Sequence, residues 1–276
     1  MNKLGVQMYS FWEGEEYDTR EILKKASELG FTGVELFGPN YKIPAEEMKS
    51  YLAELHLEVI SLHAQNSCNV EELIPYAAGI GSEFLGIGSD VMRNEEEVHA
   101  YAKRLNMLGE KCHANGLMLT YHNHTQEFIR YQGKTVMDIL AEETNPEWVS
   151  IELDAGWCAA AGEDPAAFVQ KHSGRVKLIH IKESSKVIGP QPPMDPEKLP
   201  RDENGNIIFS KEMHEAMEAV KKINCAAGEG LVDWKRLRET ADAHGCKAYI
   251  VEREYSASGT RLETLQKDVA YYKENC

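Results

Sequence analysis

The chain has 276 residues, 42% apolar and 27% charged, the make-up of an ordinary globular protein and not of a disordered one. Acidic residues outnumber basic ones 45 to 30, a formal net charge of −15, so the surface lacks the positive field on which nucleic-acid binding rests. No run of ~18 apolar residues occurs, which excludes a membrane-spanning helix.

The first element is a strand near residues 3–9, ending in Tyr9-Ser10-Phe11-Trp12. The Met1–Val6 opening carries no apolar signal region. No Gly-rich phosphate turn follows the strand, which argues against an open dinucleotide-binding sheet. From Asp18 to Leu29, Ile22, Leu23, Ala26 and Leu29 share one helical face, with Asp18 or Thr19 as cap. A recurring unit then sets in. A polar, helix-like stretch ends at Gly, which takes the left-handed cap conformation cheaply. A short apolar run follows, as expected of a strand buried on both faces. These runs lie near 32–37, 57–63, 83–88, 117–122, 148–154, 176–182 and 247–252, with further helices over Glu95–Ala114 and Trp234–Ala243. Eight βα units, most of them ~25–32 residues apart, predict an α/β protein of the (β/α)8 TIM-barrel type, one domain over 1–276. One interval breaks the rhythm. At about 184–226, Gly189-Pro190-Gln191-Pro192-Pro193 and Asp202-Glu203-Asn204-Gly205 mark a loop insertion on the C-terminal face, with a short helix over Met213–Ile223. It is either a lid or a passive excursion.

The six cysteines are scattered and form no CxxC pair, so no structural zinc site of the usual spacing is present. Free thiols in a cytoplasmic protein are expected.

Active sites of such barrels sit at the C-terminal ends of the strands. Here those ends carry Glu35, His63, His122, His124, Glu127, Glu152, Asp154, His180, Lys182, Glu252 and Glu254. Alternation puts Glu152 and Asp154 on one side of their strand, and Glu252 and Glu254 on one side of theirs. Like charges this close need a cation or protons between them. Carboxylates with an imidazole suit a divalent ion: Mn2+, Mg2+, Co2+ or Zn2+. Any one of these residues alone reads as a hydrogen-bonded rim residue. Four from four strands, converging on one axis, read as a site.

The Tyr121-His122-Asn123-His124-Thr125-Gln126-Glu127-Phe128 segment resembles the fifth-strand motif of the sugar phosphate isomerase/epimerase family, the xylose isomerase-like barrels. Leu153-Asp154-Ala155-Gly156-Trp157, His180-Ile181-Lys182, Gly228-Glu229-Gly230-Leu231-Val232-Asp233-Trp234 and Ile250-Val251-Glu252 resemble its later blocks, so the likeness covers nearly the whole chain. The resemblance implies a metal held by Glu127, Asp154, His180 and Glu252, with His124 and Glu254 as competitors at the two ends. It implies Glu127 and Glu252 as proton-handling groups, and His122 or His124 as the base if the reaction is an elimination. His63 and Lys182 are the implied substrate contacts, with Trp12 and Trp157 as apolar walls or rim packing and Glu254 beside them. The implied reaction is metal-dependent isomerisation or epimerisation of a sugar or polyol through an enediolate-type proton transfer. The alternative is a lyase acting on an inosose or a 3-keto-glycoside, and a non-catalytic sugar-binding protein stands behind both. A small-molecule partner follows, with a homodimer as the assembly common in the family. No phosphate cradle is evident beyond Lys182 and Arg253, which favours an unphosphorylated substrate.

Overall fold

The computed structural model describes residues 3–12, 17–195, 198–202 and 207–275. All eight expected strands form: β1 (Lys3–Gln7), β2 (Gly33–Phe37), β3 (Glu58–Ala64), β4 (Phe84–Ile87), β5 (Met118–His122), β6 (Val149–Asp154), β7 (Val176–Ile181) and β8 (Ala248–Val251). Each pairs in parallel with the next. β8 returns to β1, with Val251 opposite Val6, so the sheet closes into a barrel with no free edge.

The helices are α1 (Thr19–Glu28), α2 (Ala45–Glu54), α3 (Val70–Ile80), α4 (Glu95–His113), α5 (Val136–Glu143), α6 (Ala155–Ala160), α7 (Pro165–Lys171), α8 (Lys211–Ile223), α9 (Trp234–Ala243) and α10 (Arg261–Asn275). The expected starts have a visible cause. Asp18 accepts from the N–H groups of Arg20 and Glu21 at the head of α1, and Asp233 accepts from Arg236 at the head of α9. Each helix then buries one stripe, Ile22, Leu23 and Ala26 on α1 and Trp234, Leu237 and Ala241 on α9.

Alternation along the strands decides what fills the barrel. The series Met118–Thr120–His122, Ser150–Glu152–Asp154, Leu178–His180–Lys182 and Ala248–Ile250–Glu252 climb from the floor to the mouth. Met118, Leu178, Ala248 and Ile250 join Ile60 and Phe84 in an apolar plug, and the upper members of all four series are ionisable. One period therefore supplies both the floor and the site.

Between β7 and α9 the insertion is closed at its base by a bridge between Ser184 and Asn224 and by the Ser185 N–H on Ile223 O (2.8 Å). It runs back over α6, where Ile188 and Gly189 both donate to Ala160 O (2.8 and 3.0 Å). It reaches the connection after β4, where Arg93 Nε meets Asp195 (2.7 Å). Residues 203–206 of the expected Asn-Gly turn lie outside the described residues. Among the described residues, no helix is long and apolar enough to cross a membrane.

Candidate active site

The densest motif, around His122, is built by a latch between two strands. Asn123, just past β5, receives the Asp154 N–H on its Oδ1 (3.0 Å) and donates from Nδ2 to Asp154 O (3.2 Å). The two strand ends are thereby locked in register. Asp154 also caps α6, accepting the Trp157 N–H on Oδ1 (2.7 Å), which leaves Oδ2 buried without a hydrogen bond, its nearest cation the Lys182 ammonium at 3.6 Å. His180 stands opposite Asp154 across the β6–β7 ladder, and Glu252 directly continues β8. One ligand atom from each of His122, Asp154, His180 and Glu252 lies within 4.8 Å of the others, and all four residues are buried. They come from four successive strands.

Five carboxylates gather here: Asp154, Glu252 and Glu254 around the Lys182 ammonium, and Glu35 and Glu152 on the other side of His180. The Lys182 Nζ lies 2.5 Å from Glu254, 3.0 Å from Glu252 and 3.6 Å from Asp154. Burial disfavours the Lys182 charge, but Glu252, Glu254 and Asp154 hold its pKa well above the ordinary range. Burial pushes Asp154 up to about 7, with Glu252 adding to it and Lys182 opposing. Glu252 is held well below the carboxylate range because Lys182 and His180 outweigh its burial. Burial, with His180 and His124 nearby, drives His122 well below its usual value, so it is a neutral imidazole, the form that ligates metals. A buried carboxylate oxygen without a hydrogen bond, a neutral imidazole and surplus negative charge fit a divalent cation.

The other expected residues are placed as follows. Glu127 is fully buried but is not gathered with that set. It sits on a short turn after β5, where it accepts from Tyr121 Oη (3.0 Å), the His124 N–H (2.7 Å) and Gln126 Nε2 (2.8 Å). His124 lies beside the cluster, its ring centroid 5.0 Å from that of His122, with Nδ1 unpartnered. His63 belongs to a second group, His63, His122, Glu152 and His180, whose ligand atoms also lie within 4.8 Å of one another. Trp157 lies under Lys182, 5.0 Å from ring centroid to Nζ. Trp12 stands at the mouth in an aromatic group with Tyr9 and Phe37.

A cavity of about 670 Å3 opens over the cluster, within the ~300–1,000 Å3 range of small-molecule pockets. His63, His122, His124, Glu252 and Glu254 form its inner end, and Trp12, Phe37, Pro39 and Tyr41 one outer wall. No described residue of the insertion lines it. Sequence reading gave no task to Glu35, Glu152 and Gln7, which lie within or beneath this cluster. The available signal for Glu35 was a lone carboxylate in the otherwise apolar run Gly33–Phe37.

The family model described as xylose isomerase-like TIM barrel matches residues 23–275. An inosose dehydratase from Geobacillus thermodenitrificans is 30% identical over 185 residues, 66% of this chain and 56% of that protein. The chain thus spans about half the length of the relatives it matches first. A sugar phosphate isomerase/epimerase from Parabacteroides distasonis superposes with a TM-score of 0.73 at 20% identity, covering 98% of this chain and 93% of the other. The probable 3-DHS dehydratase of petrobactin synthesis from Bacillus anthracis gives 0.69 at 15% identity, covering 98% of each chain. At these identities the two structures share the fold.

Proposed function

Because this chain belongs to the xylose isomerase-like TIM barrel family, we propose that it is a divalent-cation-dependent enzyme that takes the proton α to the carbonyl of a keto sugar or keto cyclitol and eliminates water. The observation that carries this is the meeting of His122, Asp154, His180 and Glu252 from four strands beneath an open cavity that His122 and Glu252 line. A dication held there supplies Lewis acidity to the substrate carbonyl. Lys182 places a fixed positive charge beside the substrate oxygens, in a buried setting where it acts strongly. His124, at the cavity wall with a free ring nitrogen, takes the α-proton. The C–H electron pair becomes the new C=C bond, the neighbouring C–O bond breaks, and His124 returns its proton to the departing oxygen as water. Such acid–base help contributes roughly 10²–10⁴-fold.

Elimination is favoured over epimerisation by the position of Glu127. Epimerisation by two carboxylates needs Glu127 opposite Glu252, and Glu127 is committed to Tyr121, His124 and Gln126. The inosose dehydratase likeness supports the same choice. Isomerisation or epimerisation is the second reading, supported by Glu252 and Glu254 both lining the cavity. Incubating keto cyclitols and ketoses with the Mn2+-loaded protein and weighing the products by mass spectrometry separates the two. A product lighter by one water is expected. A product of unchanged mass would overturn elimination and leave proton abstraction standing.

A further inference from the structure

The cation site proposed above leaves Glu35 and Glu152 without a chemical task, although both are fully buried. His180 reaches them with one ring nitrogen while the other faces the site. Its Nε2 lies 3.0 Å from Glu35 Oε1 and 3.2 Å from Glu152 Oε1, and its Nδ1 lies 3.3 Å from Glu252 Oε2. Without an ion, burial disfavours the His180 charge, but the surrounding carboxylates hold its pKa well above the usual value; holding an ion requires its neutral form, with one N–H and one lone pair. With two carboxylate oxygens gathered at Nε2, the proton belongs there, and the lone pair of Nδ1 faces Glu252 on the ligand side.

Glu152 is itself aimed from the far side. The Tyr9 N–H donates to Gln7 Oε1 (2.6 Å), which turns the Gln7 amide NH2 toward His63 Nδ1 (3.3 Å). His63 Nδ1 therefore accepts, and its Nε2 donates to Glu152 Oε2 (2.9 Å). One directional chain runs from the backbone of Tyr9 to the Glu152 carboxylate beside His180.

We propose that Glu35 is a positioning residue that fixes His180 as the Nε2–H tautomer, with Glu152, held by Gln7 and His63, as its companion. The proposal rests on reading His122, Asp154, His180 and Glu252 as cation ligands. Carboxylates of this kind orient the imidazole, and their loss typically costs ~10–100-fold in metal affinity.

The test has two arms. In the first, Mn2+ is titrated calorimetrically into the wild type, Glu35→Ala and Glu35→Gln, each checked for folding by circular dichroism. Glu35→Ala is expected to weaken binding ~10–100-fold, and Glu35→Gln, whose amide oxygen still accepts, to restore most of it. In the second arm, 15N imidazole shifts of the Zn2+-loaded wild type are expected to place the His180 proton on Nε2 and the metal on Nδ1. This arm needs no variant and stands even if Glu35→Ala does not fold. Wild-type affinity within about twofold in a folded Glu35→Ala, or a His180 proton on Nδ1, would overturn the proposal. A wild type that takes up neither ion would overturn the cation site beneath it, a different result from intact uptake that ignores Glu35.

Discussion

Asp154 does two things with two oxygens: one caps α6 and the other, with no hydrogen bond, lies among the ligand atoms. His180 divides itself likewise between the site and the carboxylates beside it. Replacing Asp154 or His180 with Ala is expected to abolish ion uptake by elemental analysis while the far-ultraviolet spectrum is retained. Unchanged metal content in both variants would refute the ligand assignment. Gly86 marks how closely the support is packed. A Cβ there would lie 2.8 Å from His63 Cδ2, 2.9 Å from Thr120 Oγ1 and 3.3 Å from Glu152 Oε2. Gly86→Ala should lower stability by ~1–3 kcal/mol through overpacking and weaken Mn2+ binding in the same calorimetric assay. A variant with native melting and native affinity would show that the contact yields freely.

At the scale of elements, Glu183 explains why the Gly228–Trp234 block follows the insertion. Its carboxylate accepts from the N–H groups of Ser184, Gly228, Leu231 and Val232 and from Trp234 Nε1 (2.8 Å). Gly230 must lack a side chain, since its Cβ would lie 2.3 Å from Ser184 O and 2.5 Å from Glu183 Oε1. Glu183→Ala strands several buried donors, so a loss on the order of 3 kcal/mol is expected, or about 6–12 °C in melting midpoint for a chain of this size. A shift under about 2 °C would contradict this role. Asp138 joins α5 to α7 in a comparable way, accepting from Lys171 Nζ and His172 Nε2 at 2.7 Å each. Burial pushes its pKa up, but the bonds from His172, Lys171 and Thr135 outweigh burial and hold it well below the ordinary range. The unfolded chain then binds the proton first as pH falls. Asp138 therefore adds stability above the ordinary Asp value of ~3.9 that is lost below it. In Asp138→Asn, denaturant midpoints should vary less with pH across that window. An unaltered pH dependence would contradict the assignment.

Across the whole molecule, the barrel was legible because most strands are apolar runs ended by polar or ionisable residues, and most units are punctuated by Gly. α9 begins and ends where its pattern said, at Trp234 and Ala243. The site was legible only as a set of strand ends. Period-2 alternation reveals which residues face inward along a strand, and it put Asp154 with Glu152 and Glu252 with Glu254; the ligand set with Glu127, Asp154, His180 and Glu252 came from the family resemblance. Alternation stops at the strand's last residue, so it could not reveal that the turn at Gln126–Phe128 folds Glu127 back against Tyr121. Nor could it show that His122, on the strand proper, is the β5 group that meets the other three. The insertion was legible as an interruption, from its prolines. The course of its described residues over α6 depends on backbone bonds to Ala160 that no side-chain pattern encodes.

The most direct measurement is anomalous X-ray scattering from crystals of the Mn2+-loaded protein. A single strong peak within bonding distance of His122, Asp154, His180 and Glu252, with Glu127 still bonded to Tyr121, is the predicted result. A peak centred on Glu127, or no ordered ion near the strand ends at saturating Mn2+, would contradict it.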